Sequence, residues 1–144
     1  MSTGTVVKDT SNQLNINIDS SFIFLGSNSY ERATYANGTG STVTMLAGTI
    51  MGRVSSSGLL LPLAIGATDG SQHFVGVLTE NVTVINEDSK QVSLCIEGKV
   101  AQDKLVFNAA EDLESVVDGR QLKDIIAGQG IKLVATDELS NFDN

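Results

Sequence analysis

Residues 43–79 read VTMLAGTIMGRVSSSGLLLPLAIGATDGSQHFVGVLT, with short apolar runs cut every few residues by glycine-centred punctuation. Ala47-Gly48 and Ser57-Gly58 place glycine where tight turns need positive φ. Between them Thr49 to Val54 reads as a strand, and Leu59 to Leu63 as its antiparallel partner across the loop Ser55-Ser56-Ser57-Gly58. Thr68-Asp69-Gly70-Ser71 is a second turn and Phe74 to Leu78 a third strand. Gly52 and Gly76 interrupt otherwise continuous strand patterns, which marks a bulge or a close backbone approach. The stretch predicts the heart of a small, tightly folded β-barrel.

Upstream, Met1 to Asn12 is small and polar and reads as poorly tethered. Leu14-Asn15-Ile16-Asn17-Ile18 alternates apolar and polar with period two, a strand signal, and Phe22-Ile23-Phe24-Leu25 follows as a short apolar run. Two readings stay open here: one more core strand, or an arm that adds to a partner's sheet edge. Glu31 to Ser41 carries a second glycine-rich patch. Asn37-Gly38-Thr39-Gly40 lacks the lysine and spacing of a phosphate-cradling loop, so a tight hairpin turn is expected. Asn37-Gly38-Thr39 and Asn81-Val82-Thr83 match the glycosylation acceptor pattern, which carries no weight without a secretory signal.

Downstream, Asn81 to Ile85 continues β structure, Asn86 to Lys90 forms a polar turn, and Gln91 to Glu97 alternates cleanly. Val92, Leu94 and Ile96 share one face and Ser93, Cys95 and Glu97 the other. Gly98 then predicts a corner, and Leu105-Val106-Phe107 follows a turn at Gln102-Asp103. The last third changes period. Asn108-Ala109-Ala110-Glu111 reads as a capping box opening a helix with Ala109, Leu113, Val116 and Val117 on one stripe. A second box, Asp118 to Gln121, opens a helix carrying Leu122, Ile125 and Ile126, with Gly128 placed to end it in a left-handed cap. Ile131 to Val134 is a last strand, and Asp137 to Asn144 an acidic tail.

Residues suited to catalysis are sparse. His73 is the single histidine and Cys95 the single cysteine. Metal sites and most acid–base or nucleophilic sites need clusters of histidine, cysteine and carboxylate. The nearest charged neighbour of Cys95 is an acid, Glu97, which does not favour a reactive thiolate. A structural role is expected for the thiol, no metal or cofactor, and no enzymatic activity. A minor hydrolase built on His73 and Cys95 is the weakest of the readings. The carboxylate pairs Glu87-Asp88 and Glu111-Asp112 fall in turns or helix starts, where solvation and the helix dipole explain them.

At 144 residues the chain fits one domain and buries about 70% of its unfolded surface, enough for a real core. Charged residues make up 18% of a chain whose net charge is −8, with no cluster of lysine and arginine. Such a chain is a poor ligand for nucleic-acid phosphate. One cysteine excludes an internal disulfide and fits a reducing compartment. The first ten residues lack the pattern of a signal peptide, and no run approaches the roughly 20 apolar residues that span a bilayer. A soluble protein made in a cytoplasm, without membrane or nucleic-acid partners, is the expectation.

The pieces LAGTIMGRV, SSGLLLPL, ATDGSQ and VGVLTENV, in that order and spacing, resemble the head decoration proteins of tailed phages, the lambda-type capsid-stabilising family. The likeness is strongest over Val43 to Val84 and returns at Cys95 to Val106 and Leu122 to Val134. It implies a homotrimer on the exterior of a virion capsid, bound to the major capsid protein at local three-fold positions and locking the shell. It also favours the arm reading of the N-terminus. From their period and position, Leu14, Ile16, Ile18, Phe22 and Phe24 are the candidate capsid contacts. The expected architecture is α+β but mainly β: a small antiparallel barrel with one or two C-terminal helices. Residues 1–30 form an arm or strand segment, and residues 31–144 the barrel domain. The alternative function is a small-ligand-binding β-barrel module.

Overall fold

The computed structural model describes residues 23–108 and 110–135. Ten strands are present among them: β1 (Ser29–Ala36), β2 (Val43–Met45), β3 (Ile50–Arg53), β4 (Leu60–Pro62), β5 (Phe74–Leu78), β6 (Val82–Val84), β7 (Ser89–Ala101), β8 (Val116–Val117), β9 (Arg120–Gln121) and β10 (Ile131–Val134). One α-helix, α1 (Leu122–Gly128), lies between the last two, and a 3₁₀ turn covers Gln102–Lys104.

Five strands close a barrel in the order β7–β1–β4–β3–β5 and back to β7. The segment from β3 to β5 forms as its turns dictate: β4 pairs antiparallel with β3 (Met51↔Pro62, Arg53↔Leu60), and β3 with β5. The thirteen residues of β7 let it serve several neighbours. It runs antiparallel to β1 from Ala36↔Ser89 to Ser29↔Glu97, meets β5 at Val77↔Cys95, and takes β10 in parallel along Gly98 to Ala101. The barrel is antiparallel except where β1 meets β4 in parallel at Tyr35↔Leu60. Barrel closure satisfies backbone donors and acceptors that an open sheet would expose.

Two apolar clusters lie on opposite sides of the barrel wall. Tyr35, Met51, Leu60, Leu78, Val92 and Leu94, drawn from all five barrel strands, fill the lumen. Met45, Val82 and Val84 join them from the separate β2–β6 ribbon, which packs its inner face on this cluster. Ile50, Phe74, Val77 and Cys95 point the other way and are covered by Ile23, Val100, Leu122, Ile126 and Ile131. Adjacent residues of one strand therefore serve two cores, as period-two geometry requires of a wall buried on both sides. The expected faces of β7 hold. Val92 and Leu94 face the lumen and Cys95 faces out, yet both Leu94 and Cys95 are fully buried.

Both interrupting glycines have the role their positions predicted, and the reason is room rather than φ. A Cβ on Gly52 would overlap the backbone carbonyl of Ser71, whose turn lies directly on β3. The register also shifts there: Met51 faces Gly76 while Gly52 faces Phe74, so Val75 is an extra residue on β5. This bulge reverses the parity of β5, sending Phe74 to the outer cluster and Val75 to the lumen side. A Cβ on Gly76 would lie 2.9 Å from Leu94 Cβ and 3.0 Å from the Cys95 carbonyl oxygen, where β5 crosses close over β7.

Three expectations give way. The predicted helix from Ala109 to Val117 is absent among its described residues, which form turns and the hairpin β8–β9. Local side-chain bonds compete with helix here: Asp112 Oδ1 accepts from the Glu114 amide at 2.8 Å, and Ser115 Oγ from the Asp112 amide at 2.9 Å. Glu111, expected to reach back to its cap, instead accepts from the Ile65 amide at 3.0 Å. Asp118-Gly119, read as the start of a second box, is the left-handed turn of that hairpin, with φ of 53° and 79°. Helix α1 then begins without a side-chain cap, because the carbonyls of Ser115 and Leu113 accept from the Leu122 and Lys123 amides. It buries Leu122 and Ile126 as predicted, but the positive φ after it falls at Gly130, not Gly128.

Asn37 is the third. It does not turn a hairpin, since β1 and β2 pair with different strands. Its side chain is 1% exposed and fully bonded. The amide nitrogen donates to the Val84 and Ser41 carbonyls at 2.7 and 2.8 Å. The amide oxygen accepts from the Thr39 amide and hydroxyl at 3.0 and 2.8 Å. Asn37 thus staples the β2–β6 ribbon to the end of the barrel.

Candidate functional site

Of the predicted contact residues, Leu14, Ile16, Ile18 and Phe22 lie outside the described residues, and Phe24 lies within them. Phe24 makes an antiparallel bridge to Val100, and the Leu25 amide donates to the Lys99 carbonyl at 2.9 Å. The Phe24 ring meets Tyr30 edge-on, with centroids 6.4 Å apart and planes at 72°. Ile23 is buried in the outer cluster. The chain is therefore fastened to the C-terminal half of β7 from Ile23 onward, and Asn28 reinforces that seam. Its side chain both donates to the Lys99 carbonyl and accepts from the Lys99 amide, each at 3.0 Å.

Beside this seam the surface opens into a groove lined by Leu25, Lys99, Gln102, Lys132, Leu133 and Val134, ending at Ala135. The groove exists because β10 joins β7 in parallel, which puts Lys132 directly beside Lys99. Both lysines are exposed, and register partners on parallel strands project to the same face. These residues were not singled out from the sequence. Lys99 and Lys132 stand 33 positions apart, and nothing local predicts their juxtaposition.

The sparse residues suited to catalysis are not brought together. His73 Nε2 lies 3.0 Å from Asp118 Oδ2 in a surface pair whose side chains are 56% and 76% exposed. Cys95 is fully buried, its Sγ donating to the Glu97 carbonyl at 3.5 Å, and burial pushes its thiol pKa up. A buried, protonated thiol is a weak nucleophile. Among the described residues no group of three or more His, Cys, Asp and Glu is placed to hold a metal ion. The barrel lumen, where the ligand-binding alternative would put its site, is occupied by Tyr35, Met51, Leu60, Leu78 and Leu94, each at most 2% exposed. No helix among the described residues is long and apolar enough to cross a membrane.

No curated protein matches the chain. The family model of the bacteriophage lambda head decoration protein D does, over residues 17–121. The match takes in every barrel strand and the β2–β6 ribbon and stops one residue before α1. It covers well over half of the sequence, so that the turn-and-strand order first read at residues 43–79 extends to both flanks: the chain belongs to the bacteriophage lambda head decoration protein D family.

Proposed function

We propose that this chain is a cement protein of a phage head. It binds the outside of the expanded shell as a homotrimer at local three-fold positions, contacts the major capsid protein, and stabilises the shell against the pressure of packaged DNA. The observation that carries this reading is the family match across the whole barrel. The physical mechanism is multivalent: a closed ring of three copies engages several coat subunits at once, so that rupture requires simultaneous loss of several contacts. The segment preceding Ile23 is the proposed contact, with Leu14, Ile16, Ile18 and Phe22 supplying apolar side chains and Phe24 anchoring them to β7. A rigid barrel suits such work, because a scaffold buried on both sides of its wall transmits load without rearranging.

The test has two parts. The mass of the protein in solution and on heads measures the trimer, and survival of full heads under heat or osmotic shock, with and without added protein, measures cementing. Trimers that raise head survival support the reading. A chain that stays monomeric on heads, or binds without changing survival, refutes it.

A further inference from the structure

We infer that the groove between the Leu25 seam and β10 is a docking site for a carboxylate-bearing segment of the shell protein, held by Lys99 and Lys132. The inference rests on the decoration reading above and adds to it the site and the chemistry of the partner.

Of the eight lysines and arginines among the described residues, five are engaged. Arg53 pairs with Glu31 and Lys123 with Glu114. Arg32 donates to Gln91, Lys90 to the Thr83 carbonyl, and Arg120 to the Asp124 carbonyl. Lys99, Lys104 and Lys132 make no side-chain hydrogen bond or ion pair among the described residues, and two of these three stand side by side in the groove. Like charges on directly paired strand positions repel, so the isolated fold gains nothing from this placement. An acidic ligand between the two ammonium groups would remove the repulsion and bind both.

The walls define the ligand further. Leu25, Leu133 and Val134 are apolar, Gln102 offers an amide, and the volume of about 610 Å³ has room for several side chains rather than one small anion. An extended segment carrying apolar and acidic residues fits such a lining. Charge also selects the occupant. The chain as a whole is −8, so an acidic partner approaches it favourably only at a local positive spot, and this one adjoins the root of the proposed capsid-contact arm. The arm and the groove would then grip the same coat subunit from neighbouring positions.

The test compares binding of three full-length proteins to undecorated heads of the same phage, across a salt series. These are the unaltered chain, the double variant Lys99→Gln/Lys132→Gln, and Lys104→Gln as a control lysine outside the groove. The expected result is an affinity lower by about tenfold or more for the double variant, with a flatter salt dependence, and no change for Lys104→Gln. The melting temperature of the double variant should hold or rise, since a purely structural role for the lysines would lower it. Zero-length amine–carboxyl cross-linking of the unaltered chain on heads should join Lys99 or Lys132 to Asp or Glu of the shell protein. Binding and salt dependence unchanged in the double variant overturn the proposal, as do cross-links confined to acidic residues of this chain or of its other copies. An unaltered chain that fails to bind heads at all overturns the decoration reading itself, and the groove assignment with it.

Discussion

Replacing Asn37 by alanine removes four hydrogen bonds of 2.7–3.0 Å from a side chain that is 1% exposed. The Val84 carbonyl loses a partner inside the fold, and the Thr39 amide and hydroxyl lose their common acceptor. A typical buried hydrogen bond contributes about 1 kcal/mol net, and each buried group left unpaired costs more, so the substitution should destabilise by about 2–4 kcal/mol. With a urea slope of roughly 2 kcal/mol per molar for a domain of this size, the unfolding midpoint should fall by about 1–2 M. Asn37→Asp sharpens the test. It keeps an acceptor for Thr39 but turns a carboxylate toward the carbonyl oxygens of Val84 and Ser41, which favours the protonated acid. The introduced carboxyl then has a folded-state pKa above its unfolded value of about 3.9. Its damage is least below pH 4 and grows as the pH rises toward the folded-state pKa, then levels off. Urea titrations from pH 4 to 8, with the unaltered chain alongside, read this directly. A midpoint within about 0.3 M of the parent for Asn37→Ala, or a pH-independent deficit for Asn37→Asp, refutes the account of Asn37 as the staple.

Gly52→Val and Gly76→Val should each destabilise by about 1–3 kcal/mol through backbone displacement and overpacking, and a parental melting temperature in either would show that the close approaches are not limiting. His73→Ala or Cys95→Ser should leave head binding within about tenfold, and Cys95 should resist thiol reagents until the chain is unfolded; prompt native-state labelling would contradict its burial. Deleting residues 1–22 should leave a folded barrel that binds heads weakly. Deleting residues 1–25 should also lower the melting temperature, because it removes buried Ile23, the Phe24 bridge and the Leu25 hydrogen bond. Equal stability of the two truncations would refute the seam. Asp69 has a depressed pKa from its bonds to the Ser71 hydroxyl and amide at 2.6 and 3.0 Å, so its contribution holds above about pH 4 and is lost as the pH falls below that. Asp69→Asn should therefore flatten the acid limb of the stability curve, and an unchanged limb would count against that turn.

The strands β3, β4, β5 and the alternating part of β7 were legible because their signals are local. Period-two patterning marks the strand, and glycine marks the turn or the tight crossing. Residues 108–121 were misread for the same reason. Glu111 three places after Asn108 is a genuine capping pattern, and Leu113, Val116 and Val117 do fall on a helical stripe. What defeats the helix is competition from Asp112 and Ser115, the Asp118-Gly119 turn, and an Ile65 amide 46 residues away that claims Glu111. Asn37 shows the opposite case. An Asn-Gly pair after a strand signals a hairpin, but the ribbon it meets belongs to another part of the chain.

From the sequence alone came the mainly β class, the turn positions between residues 43 and 79, the scarcity of residues for catalysis and the likeness to phage head decoration proteins. All of these are properties of composition and of neighbours within a few residues. The tertiary structure alone decided that the wall of the barrel is buried on both sides, that β5 carries the bulge reversing its parity, and that β10 lies parallel on β7. It also decided that Lys99 and Lys132 share one groove. Register between distant strands is set by how two apolar clusters close around one wall, and that closure is a property of the whole chain rather than of any window within it.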